Sequence, residues 1–215
     1  MLDDERSKVA AAARLLAAEG LVRATSGNVS ARSGDHVAIT PTGAVLSLLD
    51  AKHVTVLDLD GNVVHGDLAP TSEADLHLGV YRRYEHAGAV VHTHAPIATA
   101  LSCVLDELPC VHYEMLLLGG AVRVAPYATF GTPELAASAV EALDGNTAAL
   151  LANHGTVAHG ADMDAAVKAT QLLEWACGVY WRAAAIGQPR ILDDDAQRAV
   201  VENALKIGYG TTRPA

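Results

Sequence analysis

Two short apolar segments of this chain each end in histidine, and this pattern limits the fold more than any other feature. Val90-Val91-His92-Thr93-His94 predicts a strand whose two imidazoles, two residues apart, project from one face of a sheet. Pro96 then ends the strand and begins a helix, so the pair lies at a strand's carboxyl end, where α/β proteins tend to place their sites. Leu150-Leu151-Ala152-Asn153-His154-Gly155 repeats the layout: an apolar run, a histidine and a glycine turn.

Three imidazoles at strand ends are suited to a metal ion. Three neutral histidines with an open fourth position are typical of catalytic zinc, whereas structural zinc is closed by four protein ligands, usually including cysteine. For His92 and His94 alone, burial with hydrogen bonds to neighbouring residues would explain the motif as well as a metal site would. The third histidine, His154, favours the metal site. We therefore interpret His92, His94 and His154 as metal ligands, with zinc as the expected ion and manganese, cobalt or iron as alternatives.

A carboxylate lies at the start of the helical segment that precedes His92 in the sequence. Helical spacing runs from Ser72 to Tyr84, which predicts Thr71 or Ser72 as the N-cap and Glu73 in the first turn. Complementation of the helix dipole alone would explain Glu73. Beside a metal, Glu73 becomes a candidate fourth ligand or a base that transfers protons. The N–H groups and hydroxyls at this helix start could also hold an anion.

Two further segments, Thr25-Ser26-Gly27-Asn28-Val29-Ser30 and Thr40-Pro41-Thr42-Gly43, combine small hydroxyl, amide and glycine residues. Each alone is typical of an ordinary turn, but such residues also let backbone N–H groups approach a phosphate. The net charge of -10 disfavours nonspecific binding to nucleic acid or anionic membranes. An acidic protein that binds a phosphorylated metabolite needs neutral donors of this kind.

The order of elements predicts a mixed α/β protein. We expect a sheet covered by helices, in a single domain over residues 1–215, rather than a purely parallel wound sheet. With three cysteines and no CxxC pair, we expect no disulfide framework and a buried free thiol at Cys103. Neither a secretory pattern nor a membrane-spanning segment is evident, so we expect a cytoplasmic location.

Together and in this order, five motifs resemble the class II aldolase/adducin family, and within it the branch that cleaves fuculose phosphate. They are Ser26-Gly27-Asn28, Thr40-Pro41-Thr42-Gly43, Pro70-Thr71-Ser72-Glu73, His92-Thr93-His94 and Asn153-His154-Gly155. The resemblance implies a three-layer α/β fold whose central, mainly antiparallel sheet is covered by helices on both faces. It also implies a homotetramer with zinc sites near the subunit interfaces.

The resemblance implies a role for each residue of the site. His92, His94 and His154 would bind zinc, and Glu73 would move protons at the carbon next to the substrate carbonyl. The phosphate of a ketose would be bound by Ser26, Gly27, Asn28, Thr42, Gly43, Thr71 and Ser72. On the aldehyde side the resemblance places Tyr113, Tyr209 from a neighbouring subunit's tail, and Phe130 as an apolar wall.

The reaction implied by the resemblance is cleavage of a ketose 1-phosphate to dihydroxyacetone phosphate and a small aldehyde, through an enediolate. Ala74-Asp75-Leu76-His77 replaces the aromatic and basic residues of the fuculose-cleaving branch, which leaves fuculose 1-phosphate and a 5-deoxypentulose phosphate as candidate substrates. Methylthioribulose-1-phosphate dehydratases, which keep the glutamate, are the alternative enzyme. Ribulose-5-phosphate 4-epimerases are similar but carry aspartate at position 73.

A scaffold without chemistry, similar to the adducin head, is the non-enzyme alternative. The intact metal-ligand set and Glu73 argue against it. The other seven histidines, His77 among them, have no comparable partners in the sequence, and we interpret them as surface or packing residues.

Overall fold

Strands and helices alternate along most of the chain, as the sequence predicts. The computed structural model describes residues 1–209, so residues 210–215 of the predicted domain lie outside the described part. Within that part the strands are β1 (Asn28–Ser33), β2 (His36–Ile39), β3 (Thr55–Asp58), β4 (Val63–His65), β5 (Ala89–Thr93), β6 (Glu107–Leu108), β7 (Val122–Ala125), β8 (Ala148–Leu151) and β9 (Gly155–Gly160). The helices are α1 (Asp3–Ala18), α2 (Ala74–Arg83), α3 (Pro96–Ser102), α4 (Pro133–Ala142), α5 (Met163–Ile186) and α6 (Asp194–Ile207).

These strands form one sheet in the order β4-β3-β2-β1-β5-β9-β8-β7-β6. Each neighbouring pair is antiparallel except β7 and β8, which run parallel. The Asp60-Gly61 turn joins β3 to β4, where the sequence predicts a hairpin. The expectation of a mainly antiparallel sheet is confirmed.

Helices cover both faces of this sheet. One apolar core includes Leu16 of α1, Leu101 of α3 and Leu173 of α5. On the opposite face, α2 and α4 pack against each other and contribute Leu76 and Leu135 to a second core. The predicted three-layer α/β arrangement is therefore confirmed. Among the described residues, no helix has both the length and the apolar character needed to cross a bilayer.

The pairing of β1 with β5 places two polar residues side by side on the α2 face of the sheet. Val90 belongs to the core under α2, and alternate strand residues share a face, so His92 points the same way. The register aligns Asn28 of β1 with His92. Because Asn28 also hydrogen-bonds Glu73, the residue before α2, the N-terminus of that helix lies over the same point.

Two strands that position the site are not evident in the sequence. β1 begins inside the segment interpreted as a phosphate-binding turn, and β9 begins directly after His154. Four of the six residues in each stretch are polar or glycine, which hides the apolar alternation of a strand. By contrast, the apolar runs before His92 and His154 and the helical spacing from Ser72 to Tyr84 each predict the correct element type.

Two local predictions are wrong. Glu73 itself occupies the N-cap position of α2, so neither Thr71 nor Ser72 is the N-cap. The Glu73 carboxylate points towards β1 and β5, and Thr71 Oγ1 accepts the Glu73 backbone N–H in a tight turn before the helix. Cys103 lies just beyond α3 and is exposed rather than buried, because α3 ends at Ser102.

Candidate active site

Three histidine rings meet at one end of the sheet. His92 lies in β5, His94 follows that strand, and His154 lies in the turn between β8 and β9. One nitrogen from each ring lies within 4.8 Å of the other two. Nε2 of His92 and Nε2 of His94 are 3.0 Å apart. The structure therefore brings together the three residues predicted as metal ligands.

Hydrogen bonding and burial leave these rings with free lone pairs. Nδ1 of the buried His92 lies 2.8 Å from the carbonyl oxygen of Thr156. A carbonyl only accepts, so Nδ1 carries the proton and a neutral His92 directs a bare Nε2 at the other rings. Burial lowers the pKa of His94 and His154 to about 4, so both are neutral near pH 7. Neutral imidazole is the form that binds a metal.

Glu73 lies beside the three histidines, on the side of the sheet that α2 covers. Its Oε2 lies 3.2 Å from Nε2 of His92, and its Oε1 lies 3.3 Å from Nε2 of His154. Asn28 donates from Nδ2 to Oε2 at 2.9 Å. Burial favours the protonated acid, whereas positive charge beside His92 and His154 and the hydrogen bond from Asn28 hold the pKa of Glu73 well below its ordinary value. Glu73 is therefore a carboxylate at neutral pH.

These four side chains fit a divalent metal ion. Glu73 Oε1 is buried, and no group in the described part of the chain donates a hydrogen bond to it. Bare nitrogens and carboxylate oxygens that face one another repel unless positive charge lies between them. Ligand atoms of a tetrahedral zinc with bonds of about 2.0–2.1 Å lie about 3.3 Å apart. Here the Nε2 atoms of His92 and His94 are 3.0 Å apart, and the two oxygens of Glu73 lie 3.2 Å and 3.3 Å from Nε2 of His92 and His154 respectively. One nitrogen from each of the three rings lies within 4.8 Å of the other two.

A cavity of about 360 Å³ opens in front of the histidines. Glu73, His94 and His154 line it, and His92 is fully buried behind them. Every residue predicted to bind phosphate lines the same cavity: Ser26, Gly27, Asn28, Thr42, Gly43, Thr71 and Ser72. Among the described residues that line it there is no lysine or arginine. An anion in this cavity would therefore be held by hydroxyl, amide and backbone N–H groups.

Gly27 allows the first of these turns to approach the histidine strand. Its φ is +86°, and a Cβ at this position would lie 2.9 Å from the carbonyl oxygen of His92 and 2.8 Å from a methyl carbon of Val22. A larger residue would move the turn away from β5. Gly27 thus allows the candidate phosphate-binding turn to lie next to the strand that carries His92.

The residues expected on the aldehyde side lie in two places. Phe130 lines the cavity and is 65% exposed. Tyr113 and Tyr209 are not among the described residues that line it. Their hydroxyl oxygens lie 3.3 Å apart on the surface of this same chain, and that contact raises the pKa of Tyr113 to about 12. A role for Tyr209 in a neighbouring subunit's site stays a prediction.

Three residues near the site were not assigned to it from the sequence. Tyr127 and Asn153 line the cavity, and Asn153 has a left-handed backbone with φ of 55°. His77, interpreted as a surface or packing residue, is fully buried and hydrogen-bonds Asn28. Its position four residues after Glu73, which places both on one helix face, is the signal that could have revealed it.

An open polar cavity with three histidines and a carboxylate at its base defines a candidate metal-dependent enzyme. Comparison with known proteins identifies the family to which the chain belongs. The family model described as Class II Aldolase and Adducin N-terminal domain matches residues 7–181, and the chain belongs to this family.

Named relatives align over nearly the whole chain. The 5-deoxy-D-ribulose 1-phosphate aldolase of Bacillus thuringiensis serovar kurstaki is 37% identical over 214 residues, covering 98% of this chain and 99% of that protein. The 5-methylthioribulose-1-phosphate/5-deoxyribulose-1-phosphate aldolase of Rhodospirillum rubrum is 38% identical over 205 residues, covering 95% and 92%.

A solved structure of L-fuculose 1-phosphate aldolase has a TM-score of 0.89 at 34% identity and covers 93% of this chain and 95% of that one. The resemblance and the fold class predicted from the sequence are confirmed. The chain is an aldolase, an enzyme of the aldehyde-lyase class.

Proposed function

We propose that this aldolase cleaves a 5-deoxypentulose 1-phosphate, or a close analogue, to dihydroxyacetone phosphate and a small aldehyde. The observation that carries the proposal is a single cavity in which the histidines and Glu73 meet three turns of neutral anion donors. Two relatives that align over nearly the whole chain are named for 5-deoxyribulose and 5-methylthioribulose phosphates. Fuculose 1-phosphate is the second candidate, because a structural relative is named for it.

The three turns would bind the phosphate group of the ketose. Ser26, Thr42, Thr71 and Ser72 supply hydroxyls, and the glycines expose backbone N–H groups. With neutral donors alone, this site would select the phosphate by geometry rather than by opposite charge. Its closeness to Glu73 would fix which end of the sugar reaches the histidines.

His92, His94 and His154 would hold the metal, and we propose zinc. When bound, such an ion supplies positive charge that stabilises the negative charge developing at the substrate carbonyl. The neutral state of the imidazoles and the unpartnered Glu73 Oε1 support a cation at this point. Glu73 lies close enough to the rings to serve as a further ligand until substrate enters.

Glu73 would carry the proton at the carbon next to the carbonyl. Cleavage breaks the bond between C3 and C4, leaves its electron pair on C3, and converts the C4 hydroxyl to an aldehyde with loss of a proton. In cleavage Glu73 would first take up a proton from solvent and then deliver it to C3, which balances the proton lost from the C4 hydroxyl. In the direction of synthesis its carboxylate would take a proton from that carbon and return it to solvent. The low pKa of Glu73 supplies this carboxylate form.

We further propose that one-domain subunits assemble as a homotetramer and that Tyr209 of a neighbouring subunit relays the proton of the C4 hydroxyl, passing its own phenolic proton to solvent as it accepts that one. In support, Tyr113 and Tyr209 are paired on the surface, at 40% and 56% exposure, where an adjacent chain could meet them. Phe130 would form the apolar side of the aldehyde site. The cytoplasmic location stays a prediction.

The experiment that tests the proposal incubates the purified protein with dihydroxyacetone phosphate and single aldehydes. Acetaldehyde should yield a five-carbon deoxyketose 1-phosphate, detected by mass spectrometry, and lactaldehyde should couple less efficiently. Preference for lactaldehyde would instead support fuculose 1-phosphate as the substrate. A methylthioribulose-phosphate dehydratase or a 4-epimerase would couple none of the aldehydes, and that result would overturn the proposal.

A further inference from the structure

A series of buried hydrogen bonds connects Glu73 to the middle of α2. Glu73, His77 and Tyr81 are spaced by four residues and therefore share one face of α2 and its N-cap. Asn28 and Ser30 share the facing side of β1. None of these five residues is more than 7% exposed, so their polar atoms must find partners within the protein.

The carboxylate fixes the direction of the first two hydrogen bonds. Because a carboxylate only accepts, Asn28 must turn its Nδ2 towards Oε2 of Glu73. Asn28 Oδ1 then faces His77 and can only accept, so the proton of His77 lies on Nε2, 2.5 Å from that oxygen.

The remaining hydrogen bonds, between His77 and Ser30 and between Ser30 and Tyr81, follow from this position of the proton. With its proton on Nε2, His77 accepts at Nδ1 from the Ser30 hydroxyl, 2.7 Å away. Ser30 in turn accepts from the hydroxyl of Tyr81 at 2.7 Å. Burial lowers the pKa of His77 to about 3, which keeps the ring neutral. One tautomer of His77 therefore satisfies both of its neighbours.

We propose that His77 is a positioning residue, whose Nε2–H holds the Asn28 amide in the orientation that donates to Glu73. The inference rests on the proposed function, in which Glu73 moves the substrate proton. Half a rotation of the Asn28 amide would direct Oδ1 at the carboxylate and repel it. In the part of the chain that the structure describes, His77 is the residue that donates to this oxygen. His77 thereby fixes where the Glu73 carboxylate lies relative to His92 and His154.

Two amide substitutions separate this role from simple packing. Glutamine at position 77 places an N–H near the original Nε2 and can still donate to Asn28, whereas asparagine is one carbon shorter and reaches only Ser30. The readout is the exchange of the carbon-bound proton of dihydroxyacetone phosphate with solvent. We expect His77→Gln to keep this rate within about threefold and His77→Asn to lose about 10- to 100-fold. Exchange at the wild-type rate in a folded His77→Asn protein would overturn the proposal.

A matched control removes a buried hydroxyl elsewhere. Thr170 is 1% exposed in α5, on the opposite face of the sheet, and donates to the carbonyl of Ala166. Thr170→Val should keep the wild-type exchange rate. A loss equal to that of His77→Asn would show that any buried polar deletion slows the enzyme, which would contradict a specific role for His77.

A second measurement requires neither turnover nor metal. In ¹⁵N-labelled wild-type protein, the ring nitrogen shifts of His77 report which nitrogen carries the proton. We expect protonated Nε2 and bare Nδ1 between about pH 6 and pH 8. A proton on Nδ1, or on both nitrogens, would overturn the proposal even if His77→Asn does not fold. Failure of the wild-type protein to act on any sugar phosphate would contradict the proposed function. The tautomer of His77, by contrast, tests only whether His77 donates a hydrogen bond to Asn28.

Discussion

Nε2 of His92 and Oε2 of Glu73 lie 3.2 Å apart at the end of β5, while Nδ1 of the same ring donates to the carbonyl of Thr156. Carrying only the Nδ1 proton, the ring presents a lone pair to a carboxylate. Only a proton or a metal ion between the two atoms makes that contact favourable. Burial keeps His94 and His154 neutral near pH 7, so the surrounding rings also offer lone pairs rather than protons.

Loss of a single histidine should remove metal and activity together. His92→Ala and His154→Ala each delete one of three imidazoles, and the bound metal per chain should fall about 10-fold or more. Elemental mass spectrometry of the purified variants measures this content, alongside aldol coupling. His53→Ala, which removes an exposed histidine, is the control and should keep both. Full metal content in His154→Ala would show that the ion is held elsewhere.

Glu73→Gln should keep the metal and lose proton transfer. The amide has nearly the same shape, and the three histidines remain, but glutamine neither takes nor delivers the proton at the reacting carbon. Exchange of the carbon-bound proton of dihydroxyacetone phosphate should slow by about 10²- to 10⁴-fold. If Glu73→Gln exchanged this proton at the wild-type rate, the assignment of the base would be wrong.

Removal of one hydroxyl from the turns that would bind the phosphate should weaken substrate binding more than it slows the chemical step. Thr42 and Ser72 line the cavity without a cationic neighbour among its described lining residues. Because a hydrogen bond to a charged group contributes about 1.5–3 kcal/mol, Ser72→Ala should raise the KM for the ketose phosphate by about 10- to 100-fold. Steady-state kinetics should show a much smaller change in kcat. Ser33→Ala, outside the cavity lining, is the control, and an unchanged KM in Ser72→Ala would contradict the assignment.

The protein should become less stable as the pH falls below about 6.5. Burial lowers the pKa of His77 to about 3 and those of His94 and His154 to about 4, whereas unfolded histidines titrate near their ordinary value of 6.5. Between these values the unfolded chain binds more protons, so the full stability present above pH 6.5 is lost towards pH 4. Each such histidine changes the free energy of unfolding by up to about 1.4 kcal/mol per pH unit.

Urea unfolding of chelator-treated protein at about pH 7.5 and about pH 5.5 checks this dependence on pH. The midpoint should move to lower urea concentration at the lower pH. An unchanged midpoint would mean that these histidines take up protons in the folded protein as readily as in the unfolded chain.

Tyr209→Phe should separate the two halves of the reaction. If Tyr209 handles the proton on the aldehyde oxygen, aldol turnover should fall about 10-fold or more, while isotope exchange at dihydroxyacetone phosphate stays near the wild-type rate. Both rates are measured on the same preparation. Equal losses in the two assays would contradict a role on the aldehyde side.

The sequence predicts the histidine cluster because strand geometry directly relates residues two apart. His92 and His94 share a face by period, and the repeated strand-end pattern adds His154. The turns around Gly27, Thr42 and Ser72 carry recognisable anion donors. Their convergence on one cavity, however, depends on the register of β1 with β5, which local patterns do not encode.

The hydrogen-bond partners of the site could not be predicted in the same way. His77 contacts Asn28, which is 49 positions away in the sequence, and a lone histidine on a helix is usually a packing residue. The N-cap of α2 differs from the predicted one for a related reason. Long-range contacts of Glu73 with Asn28 and His92 outweigh the local preference for Thr71 or Ser72.

Zinc titration into chelator-treated protein, with dihydroxyacetone phosphate and acetaldehyde present, most directly tests whether the histidine site carries out the carbon–carbon bond reaction. We predict no coupled product before metal is added. The coupling rate should then rise in proportion to added zinc and level off at about one ion per chain. Coupling at full rate in the chelated protein, or saturation far from one ion per chain, would contradict a reaction that depends on His92, His94 and His154.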